Sequence, residues 1–272
     1  MVFPFSILIL LIVALVISSV GWIKYVYFIS FGYGFAIAAL GAAMLILFAH
    51  SFTGPADIVI CCLFIIYGCR LGSYLLFREI KSAAYRRQMP ELMKTEKPMT
   101  VFVKFVMWIS VALLYVMEVS PAFYRYVNEA ASGAAEAQGA QIAGAIIMAI
   151  GIIGESTADF QKSAAKRKNP NRFCDTGLYR IVRCPNYFSE ILFWTGSFVS
   201  GIGAIHGWQY LIAAAGYLGI VYIMFGGARR LETRQHKNYG KDPEYEKYSN
   251  TTPILIPFIP LYHLEQYTFL KD

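Results

Sequence analysis

The stretch Gly177–Glu190, GLYRIVRCPNYFSE, sets arginines, an amide and a carboxylate against the start of an apolar run. Such a junction suits a cofactor that is anionic at one end and buried at the other. Arginine offers a phosphate a planar fork of donors, and lysine offers a point charge. Lys166, Arg172, Arg180 and Arg183 are therefore candidates for a pyrophosphate and a further phosphate, with simple anchoring of a basic loop as the competing explanation. Asn186 and Glu190 stand four apart at the head of the next helix and share a face. An amide with a carboxylate can bind a carboxamide-bearing ring, such as a nicotinamide, through complementary hydrogen bonds. An ionisable group one turn into an apolar helix ordinarily faces a cavity or a partner.

Three further groups share helix faces. Glu155, Asp159, Lys162 and Lys166 follow at spacings of four, three and four, which combines hydroxyl-binding carboxylates with phosphate-binding cations; ion pairing at a solvated helix exit is the plainer account. Tyr67, Arg70 and Tyr74 form a polar stripe inside IIYGCRLGSYLLF. Tyr74 suits an interface anchor, but an intramembrane arginine must meet a carboxylate, a phosphate or water, and the Tyr67 hydroxyl can donate to a buried carbonyl. Arg229, Glu232 and His236 lie three and four apart after the last apolar run, where they either close over a cofactor or form an ordinary helix exit.

The elements that position these residues belong to a membrane protein. With 57% hydrophobic and 15% charged residues over 272 positions, the chain has too little polar surface for a soluble globule of its size. A hydrocarbon core about 30 Å thick requires roughly 20 mostly apolar residues per helix. Residues 4–23, 25–48, 58–77, 101–119, 139–157, 188–206 and 208–227 meet that length. The expected architecture is all-α and integral to the membrane, with seven transmembrane helices in one domain over residues 1–272 and a cofactor-binding half over about 139–260. The first run lacks the charged flank and the cleavage site of a signal peptide, and the short alternating segments of a transmembrane barrel are absent.

Charge orients the chain. Lys24, then Arg78, Lys81, Arg86, Arg87, Lys94 and Lys97, then Lys162 to Arg183, then Arg229 to Lys241 fall in alternate connections, which puts the N-terminus outside and the C-terminus in the cytoplasm. The intervening connections carry His50, Asp57, Glu118, Arg125, Glu129 and Glu136. Basic cytoplasmic loops account for the net charge of +7 without a nucleic-acid partner. The five cysteines show no disulfide framework and no metal-ligand spacing, and no metal is expected. The small-residue stretch GAAEAQGAQ forms an extracytoplasmic loop, and the LIPFI segment near the end folds back onto the membrane surface.

GLYRIVRCPNYFSEI resembles the signature of the integral-membrane steroid 5α-reductases and their bacterial relatives, which share a C-terminal domain with the isoprenylcysteine carboxyl methyltransferases. The likeness extends weakly from Tyr67 to LIPFI. It implies that Asn186 and Glu190 lie beside the nicotinamide of NADPH. It also implies that Asp159 and Lys166 contact the adenosine half, with Lys166 replacing an arginine, and that Tyr67 of a Tyr-x-x-Arg pattern with Arg70 faces the substrate ketone. Glu232 or His236 falls near the diphosphate. Those reductases pair their tyrosine with a glutamate from the second span, but residues 1–56 contain no Asp or Glu. His50 is the nearest substitute, followed by Asp57. Glu155 stands where the family carries asparagine.

The implied activity is NADPH-dependent reduction of the C=C bond of a lipophilic, steroid-like enone in a membrane, the bacterial inner membrane before the endoplasmic reticulum, with the cofactor site facing the cytoplasm. Membrane lipids and the lipophilic enone are the expected partners. An S-adenosylmethionine-dependent methyltransferase is the first alternative, although such enzymes show Arg-His-Pro where this chain has Arg183-Cys184-Pro185. A non-enzymatic lipid-binding protein is the second.

Overall fold

The computed structural model describes residues 5–81 and 100–270, excluding the side chain of Lys81. Arg86, Arg87, Lys94 and Lys97, four of the cations used to orient the chain, lie outside the described residues, as does the start of the first apolar run.

Every regular element among the described residues is helical. The main helices are α1 (Ser6–Ser18), α2 (Phe31–Leu47), α3 (Pro55–Lys81), α4 (Val101–Ser132), α5 (Gln138–Lys168), α6 (Pro185–Gly201), α7 (Gln209–Tyr239) and α8 (Pro243–Thr251). Helix makes up most of the described part of each apolar run, as lipid requires of a backbone that cannot leave its polar groups unpaired, but the sixth run, expected over 188–206, leaves its helix after Gly201. Four helices, α3, α4, α5 and α7, are long and apolar enough to cross a membrane. The segment of α1 with its following turn, and α2, are apolar but shorter.

The helices α3, α4, α5 and α7 outrun the apolar runs that announced them. The fourth run was expected to end at residue 119, yet α4 passes through Pro121 to Ser132. A proline inside a helix removes a backbone donor and ordinarily costs about 3 kcal/mol. Polar residues beyond it compensate. Arg125 and Glu129 form a 2.6 Å ion pair with both side chains fully buried, and Arg125 Nε donates to the Ser200 carbonyl at 2.7 Å. Glu118, Arg125 and Glu129 are thus helix residues rather than loop residues. The small-residue connection that follows is tied down, because the Glu136 amide donates to Glu129 Oε1 at 3.2 Å and Arg125 Nη1 donates to the Glu136 carbonyl.

The chain divides into two compact units, one comprising Met1–Ala145 with Ser197–Gly216 and the other Ile146–Gly196 with Tyr217–Asp272. The divisions fall inside α5, α6 and α7 rather than in linkers. In the first unit α2 and α3 pack at backbone contact. A Cβ on Gly68 would lie 2.3 Å from the Gly34 carbonyl oxygen, and one on Gly34 would lie 2.5 Å from the Gly72 nitrogen. Small residues spaced four apart, Gly34 with Ala38 and Gly68 with Gly72, create that approach.

In the second unit the chain after α8 returns across the start of α6. The amides of Arg183 and Cys184 donate to the Pro253 and Ile254 carbonyls at 2.9 Å each. Cys184, Ala228, Leu231, Ile254, Leu255, Leu264 and Leu270 form the apolar core beneath this crossing. The LIPFI segment, residues 255–259, is therefore partly core: Leu255 is fully buried next to buried Ile254, and Ile256 packs against the core, while Phe258 is 95% exposed.

Candidate functional site

Most of the candidate cofactor residues fall in the second unit. Gly177 opens the signature with φ +62°, a backbone angle that favours glycine, and the Leu178 amide beside it donates to Gln161 Oε1 at 2.9 Å. The short turn Gly177–Arg180 leads to Pro185, which starts α6 with the preset φ of a first helical residue. Gly151 and Gly154 of α5 approach Ser189 and Phe193 of α6 closely enough that a Cβ on either would lie within 2.8 Å of its neighbour. The antiparallel register of these contacts sets Asn186 level with the turn of α5 that carries Glu155 and Asp159.

Three carboxylates are buried here, Glu155 at 3%, Asp159 at 8% and Glu190 at 6% exposure. Asn186 Oδ1 is also buried and has no hydrogen-bond partner among the described residues. A buried amide oxygen without a donor costs roughly 1–3 kcal/mol, so this atom could accept from a ligand N–H.

The basic residues sort into two kinds. Arg172 and Arg180 are exposed. Arg172 bridges Asp175 at 2.9 Å and also pairs with Glu244, whose hydrogen bond is the largest influence holding the guanidinium in its charged form. Lys166 is committed to its own unit: Nζ donates to Tyr239 Oη at 2.6 Å and to the Arg172 and Pro170 carbonyls at 2.7 and 3.0 Å.

Arg183 faces inward. Its Nη2 donates to Glu232 Oε1 at 2.7 Å, and both side chains are fully buried; the same nitrogen also donates to the Tyr262 carbonyl. Glu232 additionally accepts from the Leu264 and Glu265 amides at 2.7 and 3.2 Å, and its Oε1 lies 3.0 Å from His263 Nδ1. Arg183 and Glu232, both expected on the cofactor, are thus each other's partners in a network that seats the C-terminal segment.

His236 Nδ1 lies 2.8 Å from Glu265 Oε2. Burial would raise the Glu265 carboxyl, but the bonds from His236 and Thr233 and the nearby Arg229 outweigh it and hold the group below its ordinary range. Glu232, His236 and His263 bring possible ligand atoms within 4.8 Å of one another. Because each Glu232 oxygen already serves two protein partners, one of them a buried arginine, a cation there would have to displace that network. Burial pushes the Cys184 thiol up to about 12, so it is not a nucleophile at neutral pH. A groove of about 370 Å³ between α7 and the C-terminal segment is lined by Leu218, Phe225, Leu261 and Leu270 among others; its walls are hydrocarbon and offer a phosphate nothing.

The expected catalytic residues fall in the first unit. Tyr67 is fully buried on α3, and its hydroxyl lies 3.3 Å from that of Tyr33 on α2. The Arg70 guanidinium lies 5.8 Å from the Tyr74 ring centroid. His50 is exposed beyond the end of α2. Tyr67 stands twelve residues into α3, about 18 Å from its first turn at 1.5 Å per residue, so the structure does not bring the two together. Asp57 does not substitute: its carboxylate accepts from the Thr53 and Gly54 amides at 2.9 and 3.1 Å and from Gln141 Nε2, as a residue of the first turn of α3. Sequence reasoning missed Tyr33. The signal was the repeated Tyr-Gly, Tyr33-Gly34 and Tyr67-Gly68, at small-residue helix contacts.

Residues 12–252 match the family described as Protein of unknown function (DUF1295). The chain belongs to this family. The match covers all the residues expected at the catalytic and cofactor sites and ends before His263 and Glu265, two members of the network around Glu232. No curated protein and no solved structure matches the chain.

Proposed function

We propose that this chain is a membrane-embedded, NADPH-dependent reductase of the C=C bond in a lipophilic α,β-unsaturated ketone, with a 3-oxo-Δ4 steroid as the type of substrate. The reading includes seven spans, an external N-terminus and a cofactor site that faces the cytoplasm. Its first support is the likeness of the segment 177–191 to the steroid 5α-reductase signature. The observation that carries it is the buried, unpartnered Oδ1 of Asn186 beside buried Glu190.

An amide oxygen in that position suits the N–H of a carboxamide. Glu190, one turn on, supplies a second acceptor. Arg172 and Arg180, exposed at the approach to α6, are the residues suited to phosphates, whereas Arg183, Glu232 and Lys166 act by holding the site's walls. NADPH, when bound, supplies the two reducing electrons. Tyr67 donates a hydrogen bond to the substrate carbonyl, where charge grows as the double bond is reduced, an oxyanion role worth several kcal/mol in a dry site.

The test is thermal. Ligands that bind the native state raise its melting temperature by mass action, so detergent-purified protein should be stabilised by NADPH more than by NADH or S-adenosylmethionine, and should consume NADPH when given an enone. Stabilisation by S-adenosylmethionine alone would transfer the site to methyl transfer.

A further inference from the structure

We propose that the apolar groove between α7 and the C-terminal segment holds an acyl chain of one phospholipid, whose phosphate is bound by Arg229. The inference does not depend on the reductase reading, because it uses none of the residues given a role there. Leu218, Tyr222 and Phe225 of α7 face Leu264, Tyr267 and Leu270 across about 370 Å³, a volume within the range of about 300–1,000 Å³ usual for small-ligand sites. Residues 218, 222, 225 and 229 follow at spacings of four, three and four, so one face of the helix carries first the wall and then the cation.

The surroundings choose the occupant of the apolar part. It lies on a helix long and apolar enough to cross a membrane, and Leu218 and Tyr222 at its mouth are 62% and 51% exposed. Hydrocarbon walls give water nothing to bond, whereas the chains of a bilayer fill such a cleft without losing a hydrogen bond. The opposite wall is stapled to α7 at two levels. Tyr222 Oη donates to the Phe269 carbonyl at 2.7 Å, and Arg229 Nη2 donates to the Glu265 carbonyl at 3.2 Å. The segment therefore runs antiparallel to α7, and Leu264 and Leu270 tie it to the apolar core.

Arg229 supplies the polar end. It follows Phe225 by four residues, about 6 Å along the helix axis, just past the apolar run. The bond to the Glu265 carbonyl is its one hydrogen bond among the described residues, and its buried Nε has no partner among them. The Glu265 carboxylate feels the charge of Arg229 but is bonded to His236 at 2.8 Å. A guanidinium has five N–H donors in a planar fork, so donors remain for a phosphodiester. A chain-sized apolar cleft with an arginine one turn beyond it matches a glycerophospholipid at the level where hydrocarbon meets headgroup. A free phosphate would use only the arginine, and a neutral lipid only the cleft.

Native mass spectrometry of the full-length protein in detergent, titrated with dioleoyl phosphatidylglycerol, tests this. One lipid should stay bound after collisional activation has stripped the others. Dioleoylglycerol, with the same chains and no phosphate, should bind at least about tenfold more weakly. Arg229→Gln should weaken phosphatidylglycerol by about tenfold or more, the worth of a hydrogen bond to a charged group, while Arg229→Lys keeps most of the affinity. Val221→Trp, which adds bulk to the groove wall, should also reduce retention, and it carries the test if Arg229→Gln does not fold. Equal binding of the two lipids, equal binding by wild type and Arg229→Gln, or no retained lipid overturns the inference. So does displacement of the lipid by millimolar glycerol phosphate, which would make this a site for free phosphate, or by NADPH, which would give Arg229 to the cofactor. A wild-type protein that reduces no enone overturns the reductase reading and leaves this inference standing.

Discussion

The two units solve the same problem, a fixed polar group in an apolar interior, by opposite means. In the first, uncharged hydroxyls at Tyr33 and Tyr67 are held by backbone contact at Gly34 and Gly68. In the second, a full ion pair, Arg183 with Glu232, is held by hydrogen bonds from the C-terminal segment. The difference lies in what each interior must supply. A neutral pair costs less to bury than a charged one. A charged pair costs more to bury, and offsets that cost only when its remaining polar atoms are satisfied; Arg183 Nε and Nη1 are buried with no hydrogen-bond partner among the described residues, so the pair keeps part of that cost while it anchors a tail through a partner 49 residues from Arg183 in sequence.

The comparison breaks most visibly at Glu232. Glu232→Gln would leave the Arg183 guanidinium buried and uncompensated, a defect that typically costs about 3–5 kcal/mol. The melting temperature of the purified protein should fall sharply. A double change, Arg183→Met with Glu232→Leu, should recover most of the loss because it removes both charges. A Glu232→Gln protein as stable as wild type but weaker for NADPH would return Glu232 to the cofactor and dissolve the contrast between the units.

At Gly68 the first unit's device can be tested. A methyl group there meets backbone at 2.3 and 2.4 Å rather than a movable side chain. Gly68→Ala should therefore destabilise by about 1–3 kcal/mol, the usual cost of overpacking. Gly226 makes the control, since the nearest atom to its added Cβ is Arg230 Nη1 at 3.8 Å; alanine there should be neutral or slightly stabilising, as expected of glycine to alanine inside a helix. Equal effects at the two positions would mean that α2 and α3 are free to separate.

Much of the fold was legible because lipid leaves one solution for an apolar run of about 20 residues. The helix ends were less so. Nothing local marks α4 as continuing past Pro121, because its support comes from Arg125 reaching Ser200, 75 residues away. The site was legible where short-range chemistry speaks: Pro185 as a helix start, Asn186 and Glu190 on one face. It was illegible where partners are distant. Arg183 has the composition of a phosphate ligand until Glu232 is brought to it, and Lys166 until Tyr239 is. His50 was an expectation drawn from order along the chain, whereas a helical hairpin places the end of α2 far from the middle of α3 and brings Tyr33 to Tyr67 instead.

The smallest expected change in stability sharpens the division between wall and ligand among the arginines. Arg172 is 41% exposed and bridges Asp175 and Glu244 at the surface, where such pairs are worth about 0–1 kcal/mol because water competes for both charges. Arg172→Ala should shift the melting temperature of the ligand-free protein by little. If the outer arginines hold the phosphates, the same substitution should reduce the rise in melting temperature produced by NADPH, and added salt should reduce that rise in wild type as well, since exposed charges are screened beyond about 10 Å at roughly 0.1 M. The charge-free double variant, Arg183→Met with Glu232→Leu, should instead keep the NADPH-induced rise largely intact, because Arg183 is already committed to Glu232. The opposite pattern, with Arg172→Ala silent and the loss of Arg183 abolishing the rise, would mean that the buried network opens to the cofactor, and that the second unit uses its ion pair as the first uses its hydroxyls.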